Sequence, residues 1–214
     1  MSAESIAGVN ADSSDFSASN TSGSSANSAQ ASATPAVPLA GLLSVASATT
    51  TTPINLTTIG TADWTKWGVA TNVATVNRKS SGGTQISNYT KIGTGAITRY
   101  TDSGVGYSWS GGTPTKSGSN NLTGICSSAV GTGPADTTTR TLNLYVGGWN
   151  STCELSAVLS NGSAANHTTT KVHPSTVDTN TVYSITYNAA ASNQTLTVTW
   201  KMTAGTGKCT LQAA

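Results

Sequence analysis

The sequence predicts an all-β protein: an antiparallel β-sandwich of the jelly-roll type, preceded by a disordered Ser/Ala-rich leader. Three observations carry this. From about residue 51, short alternating runs of Val, Ile, Tyr, Trp and Thr recur, and these residues suit a pleated, half-buried surface. Clusters of Gly, Asn and Ser separate the runs at turn-like spacing. No apolar stripe repeats at 3.6 residues, and good helix formers are scarce. A length of 214 residues accommodates one all-β domain plus a tail.

The strands are expected in this order. Residues 54–59 come first and 64–71 follow. Residues 95–100 and 105–110 read as a hairpin around Asp102-Ser103-Gly104. Residues 122–129 form a further run. In 140–146, Leu142, Leu144 and Val146 share a face, and in 153–159, Leu155, Ala157 and Leu159 do. Residues 182–187 align Tyr183, Ile185 and Tyr187. Residues 195–202 place Leu196, Val198, Trp200 and Met202 inward, and 208–213 close the chain. About nine or ten short strands with regular turns point to a sandwich or barrel.

Residues 1–50 differ from the rest. Ser and Ala dominate, Phe16 is the one aromatic residue, and Glu4, Asp12 and Asp15 stand without any Lys or Arg. So few large apolar side chains cannot offset the entropy of ordering, so the segment reads as a disordered leader. Within it, Ala36 to Val45 is apolar and Ala46-Ser47-Ala48 follows, a small-x-small pattern. A secretory signal needs a basic residue ahead of such a run, and none is present. The alternatives are a linker or an extended arm, residues 36–50, that adds a strand to a neighbouring subunit. The domain therefore spans 51–214.

Composition excludes several functions. Only 8% of residues are charged, against roughly 25% in ordinary domains. A net charge of +2 without Lys/Arg clusters gives no footprint for nucleic acid. No apolar run approaches the roughly 20 residues of a membrane-spanning helix.

The succession of short motifs is more specific than any one of them. Asn55-Leu56-Thr57 precedes Gly60-Thr61-Ala62-Asp63-Trp64-Thr65-Lys66-Trp67-Gly68, and Gln85-Ile86-Ser87-Asn88-Tyr89 and Arg99-Tyr100 follow. Then come Trp109-Ser110-Gly111-Gly112-Thr113-Pro114, Arg140-Thr141-Leu142 and Tyr145-Val146-Gly147-Gly148-Trp149. Leu159-Ser160-Asn161-Gly162-Ser163 and Thr210-Leu211-Gln212-Ala213-Ala214 complete the order. Over residues 54–214 the chain resembles a module that recurs in secreted and surface-exposed bacterial multidomain proteins and is itself similar to galactose-binding-like jelly rolls. The resemblance implies an extracellular, carbohydrate-binding or adhesive module. One departure is Ser127 to Gly133, short and small where an apolar strand would lead into Pro134.

Cys126, Cys153 and Cys209 are odd in number. Cys153 has the inward parity of Leu155 and Cys209 that of Leu211, so a Cys153–Cys209 disulfide is expected if their strands adjoin, with Cys126 left over. The alternative is three small buried hydrophobes. No C-x-x-C spacing supports zinc. His167 and His173, six residues apart, read as a solvated loop rather than a metal pair. No cofactor is expected, a structural calcium held with Asp63 being the alternative to backbone hydrogen bonds there. The module's carboxylates, Asp63, Asp102, Asp136, Glu154 and Asp178, make a hydrolytic pair arithmetically possible, but the sequence marks no pair. There is no G-x-S-x-G elbow, P-loop or dinucleotide fingerprint, so the reading is not an enzyme.

Aromatic residues offer a ligand platform, because the C–H faces of sugars stack on exposed indoles. Tyr145 is opposite in parity to Leu144 and Val146. Trp149 follows a Gly-Gly break, and Trp64 and Trp67 point to opposite faces. Tyr145, Trp149, Asn150, Arg140 and Trp67 are the candidate glycan-binding residues. The alternative is that Trp149 caps the sandwich end as a packing residue. A structural subunit of a surface fibre, self-associating through residues 36–50, and a glycoside hydrolase are the other functions weighed.

Overall fold

Two twenty-residue strands carry the architecture. The computed structural model describes residues 41–126 and 128–214. In chain order the elements are β1 (Leu42–Thr49), β2 (Ile54–Asn55), α1 (Leu56–Ile59), β3 (Thr65–Lys66), β4 (Asn77–Lys79), β5 (Thr90–Lys91), β6 (Thr98–Tyr100) and β7 (Tyr107–Trp109). Then follow β8 (Gly112–Thr113), β9 (Gly118–Asn121), β10 (Gly124–Cys126), β11 (Ala129–Ala135), β12 (Arg140–Leu159), β13 (His167–His173), β14 (Thr179–Asn188) and β15 (Gln194–Ala213). Among the described residues, twelve strands join one sheet and β2, β7 and β9 form a second. The protein is all-β and sandwich-like.

β12 and β15 run antiparallel along most of their length, and both change partners midway. The first half of β12 pairs with β14 and its second half with β13. The first half of β15 pairs with β11, and its end with β10 and β3. The register slips where the partners change. Trp149 lies opposite Lys208, but Ser151 lies opposite Gly205, so β15 carries an extra residue at this level, and further slips fall between Tyr145 and Val146 and between Thr152 and Cys153. Asn150 takes φ +46° and Gly205 φ +98°, and the Asn150 Nδ2 donates to Thr206 Oγ1 at 3.0 Å. A Cβ at Gly207 would lie 1.8 Å from the Trp149 carbonyl oxygen, so only glycine permits this approach.

Across these slips the inward parity of both strands inverts. Before Trp149, Leu144 and Val146 enter the main core, and after it Cys153, Leu155, Ala157 and Leu159 do. On β15, Leu196, Val198 and Trp200 give way to Cys209 and Leu211. Both halves of each strand thus serve one apolar cluster. Cys153 and Cys209 are joined in a disulfide with Cα atoms 6.0 Å apart. Yet Cys209 lies opposite Gly148, and on an unbroken ladder Gly148 and Cys153 would be roughly 16 Å apart. The strands therefore turn sharply at the bulge.

A second, smaller core lies on the other face of the first half of β12. Leu56, Trp64, Val105, Tyr107, Trp109, Tyr145 and Ala213 form it. Lys66 is buried beside it, its Nζ donating to the carbonyls of Trp67 and Thr123 and lying 5.0 Å from the centre of the Tyr107 ring. Burial, and secondarily the Arg99 charge, bring its pKa down to about 7.

Several expectations are corrected. The strand expected at 54–59 is cut short because Asn55 Oδ1 accepts from Thr57 N, capping the four-residue α1. The hairpin around Asp102 does not form: β6 pairs with β10, and β7 with β2 and β9. Met202 is 41% exposed because it precedes the bulge, where the inward alternation fails. The small residues before Pro134 form β11, a strand hydrogen-bonded to β15. Residues 42–49, assigned to the leader, form β1, paired antiparallel with residues 181–188 of β14. Only Leu43 and Val45 of β1 pack on the core, so its composition gives little sign of the backbone ladder that holds it. The leader residues 1–40 lie outside the described residues.

The disulfide closes a chain separation of 56 residues. Denatured without reductant, the protein should titrate one thiol, Cys126, and three after reduction. Reduction should lower unfolding stability by about 2–4 kcal/mol. Three thiols in the unreduced protein would contradict the staple.

Candidate functional site

Most tryptophans and carboxylates of the domain are engaged within the fold, and the few that are not meet at one place. Of the tryptophans, Trp64, Trp67, Trp109 and Trp200 are buried, and Trp149 is 40% exposed. Its exposure follows from the bulge, which leaves it outside both alternations. The indole N–H is already committed, Nε1 donating to the Ser175 carbonyl at 2.8 Å, so the ring faces remain the available surface. Asn150 N donates to the Pro174 carbonyl at 3.0 Å, fastening the 174–178 loop to the same point.

The five carboxylates of the domain divide in the same way. Asp63 is buried and accepts three backbone N–H groups, Oδ1 from Trp64 and Oδ2 from Gln85 and Ile86. Asp136 forms a bidentate pair with Arg140 at 2.6 and 2.9 Å, which holds its carboxyl well below the usual range. Glu154 pairs with Lys201 at 2.9 Å. Asp102 and Asp178 have no hydrogen bond or ion pair among the described residues, and both line one cleft.

That cleft has a volume of about 340 Å³. Trp149 and Lys208, opposite each other at the bulge, line it, as do Thr176, Val177 and Asp178 of the 174–178 loop. Asp102 comes from the loop after β6, and Tyr100, Cys126 and Thr210 from β6, β10 and β15. Gln212 Nε2 lies within hydrogen-bond distance of the Tyr100 hydroxyl and of Thr210 Oγ1, tying these two strands together. Partial desolvation, and then the neighbouring Asp102 charge, raise the Asp178 carboxyl above its ordinary value, with Lys208 opposing. Burial first, and the Asp178 and Asp102 charges further, push the Cys126 thiol up, so it is a poor nucleophile.

The sequence-derived platform is only partly assembled. Trp149 lines the cleft. Tyr145 faces away from the main core as parity requires, but it is 6% exposed because the smaller sheet covers that face, with Tyr107 edge-on at 5.8 Å. Trp67 is 3% exposed, its Nε1 donating to Asn88 Oδ1 at 3.0 Å. Arg140 is held by Asp136, and Asn150 shapes the bulge through Thr206. Asp102, Asp178 and Lys208 were not singled out as site residues. Nothing in their local sequence marks them, because three separated segments bring them together.

His173, read as part of a solvated loop, is 2% exposed at the end of β13. Its ring packs edge-on to Trp200 at 6.0 Å and against Gly148, where a Cβ would lie 2.6 Å from it. A hydrogen bond between Nδ1 and the Thr179 hydroxyl joins the two ends of the cleft-lining loop. Among the described residues, no three His, Cys, Asp or Glu side chains group to hold a metal. Comparison of the chain with protein-family models, curated proteins and solved structures finds no match.

Burial, with the Lys171 charge second, lowers the His173 pKa to about 4, against 6.5 for the free side chain. Between these values the unfolded chain binds a proton that the folded protein does not, so stability falls as pH drops through that window. Its full extent is about 3 kcal/mol. Urea denaturation from pH about 7 to 4 should show this decline, and His173→Gln should flatten it. An identical slope in the variant would contradict the buried neutral imidazole.

Proposed function

We propose that this chain is an extracellular, non-catalytic carbohydrate-binding or adhesive module of the galactose-binding-like jelly-roll kind, with the Trp149 cleft as its glycan site. One observation carries the reading: the exposed tryptophan and the two unengaged carboxylates meet at a single cleft. Sugars need both kinds of surface. Their C–H faces stack on an indole, and their hydroxyls donate to carboxylate oxygens and accept from an ammonium such as Lys208. A volume near 340 Å³ is in the range of small-ligand sites. One aromatic face and a few exposed polar groups support a Kd on the order of 0.1–1 mM per site. The Cys153–Cys209 disulfide supports the location, since such bonds persist in oxidising compartments.

A fibre or matrix subunit is the second reading, and β1 is the observation that favours it. This strand rests on β14 chiefly through its backbone, so the same ladder can be supplied by a neighbour's residues 42–49.

Two measurements test these readings. Retention on immobilised chitin, cellulose or bacterial cell wall should occur and should drop at least about tenfold in Trp149→Ala, the variant keeping a cooperative unfolding transition. No retention, or equal retention in the variant, counts against the glycan site. For strand addition, Ala46 lies opposite Ser184, so the Ala46→Cys/Ser184→Cys protein should form covalent multimers on oxidation if β1 is exchanged. An internally bonded monomer alone defeats it.

A further inference from the structure

We infer that the Trp149 cleft selects glycans carrying free amino groups, such as glucosamine oligomers, over their N-acetylated or neutral counterparts. The inference rests on the glycan-binding reading and goes beyond it by naming the ligand class. Beside the hydroxyls of Tyr100, Thr176 and Thr210, which suit any sugar, the cleft's charged lining is two carboxylates, Asp102 and Asp178, against the single ammonium of Lys208. Its charge is thus opposite in sign to the protein's overall +2.

The charge is also uncommitted. The domain's other three carboxylates are taken by backbone N–H groups or by Arg140 and Lys201. Asp102 and Asp178 line the same cleft, where the Asp102 charge disfavours ionisation of Asp178, and Lys208 forms no ion pair with either among the described residues. A cation between them relieves that repulsion. The exposed indole adds to this. With its N–H donated to Ser175, Trp149 offers a ring face, which attracts a cation and also stacks on the sugar's C–H surface. An ammonium on a sugar ring satisfies the carboxylates and the indole together. An acetamido group would place a neutral amide and a methyl there, leaving the two carboxylates with only the single Lys208 charge to balance them.

The test is isothermal titration of the full chain with glucosamine, N-acetylglucosamine and glucose oligomers of equal length, at pH about 6, where the amine is protonated. The glucosamine oligomer should bind roughly tenfold more tightly than the other two, and added salt should weaken it selectively. Asp102→Asn and Asp178→Asn are exposed changes that keep side-chain size. Each should lower glucosamine affinity roughly three- to fivefold and leave the neutral oligomers unaffected. Trp149→Ala should weaken all three. Equal or reversed preference, still dependent on Trp149, would overturn the amine selectivity and leave the glycan site standing. Absence of binding by every oligomer would overturn both. Cleavage of an oligomer that is lost in Asp178→Asn would replace non-catalytic binding with hydrolysis by the carboxylate pair.

Discussion

The structure depends on the register slips between β12 and β15 around Trp149 and on the disulfide that spans them. Two long strands could form an extended ribbon with one wet face. The slip at Trp149 and Lys208 prevents this by turning both strands and inverting their alternation, so that both halves of each serve the same core. Asn150 and Gly205 supply the positive φ values, and Gly207 allows the close approach to the Trp149 carbonyl. Cys153 and Cys209 then join residues on opposite sides of the turn. The corner is thus held covalently, by a backbone geometry few residues adopt, and by Asn150 bridging to Thr206.

The same corner creates the cleft. A residue at a bulge belongs to neither face of a regular strand, so a large side chain there cannot enter either core. Trp149 is that residue, and the 174–178 loop is fastened to it through Ser175 and Pro174. Beneath, the buried ring of His173 links to Thr179 and keeps the loop ends together. The candidate site is therefore a by-product of how the sheet turns. Asp102, Asp178 and Lys208 fill its rim with charge that the fold itself does not use. In a chain with 8% charged residues, two unengaged carboxylates beside one exposed indole are the strongest departure from a purely structural surface.

Much of the fold was legible because alternation reports faces directly. Leu144 and Val146, Leu155 to Leu159, and Leu196 to Trp200 lie inward as their spacing requires, and the parity of Cys153 and Cys209 anticipated their pairing. Alternation does not report what covers the opposite face. Tyr145 points away from the main core as expected, yet it is buried because the β2-β7-β9 sheet lies over it. Nor does it identify partners, so the expected hairpin at Asp102 dissolved into pairings with distant strands. β1 and β13 were missed because Ser-, Ala- and Thr-rich segments hold position through backbone hydrogen bonds, which composition hardly records. The cleft shows the same limit. Trp149 was visible from its Gly-Gly break, while its charged neighbours meet only through long-range pairing.

The central claim is that the bulge presents one indole, and one only, to a ligand. Titrating isotopically labelled protein with a soluble glycan oligomer, and following the indole N–H resonances of the five tryptophans, tests it most directly. The account predicts that the Trp149 resonance shifts progressively while those of Trp64, Trp67, Trp109 and Trp200 stay fixed. A titration that moves a buried indole and leaves Trp149 unmoved would contradict it.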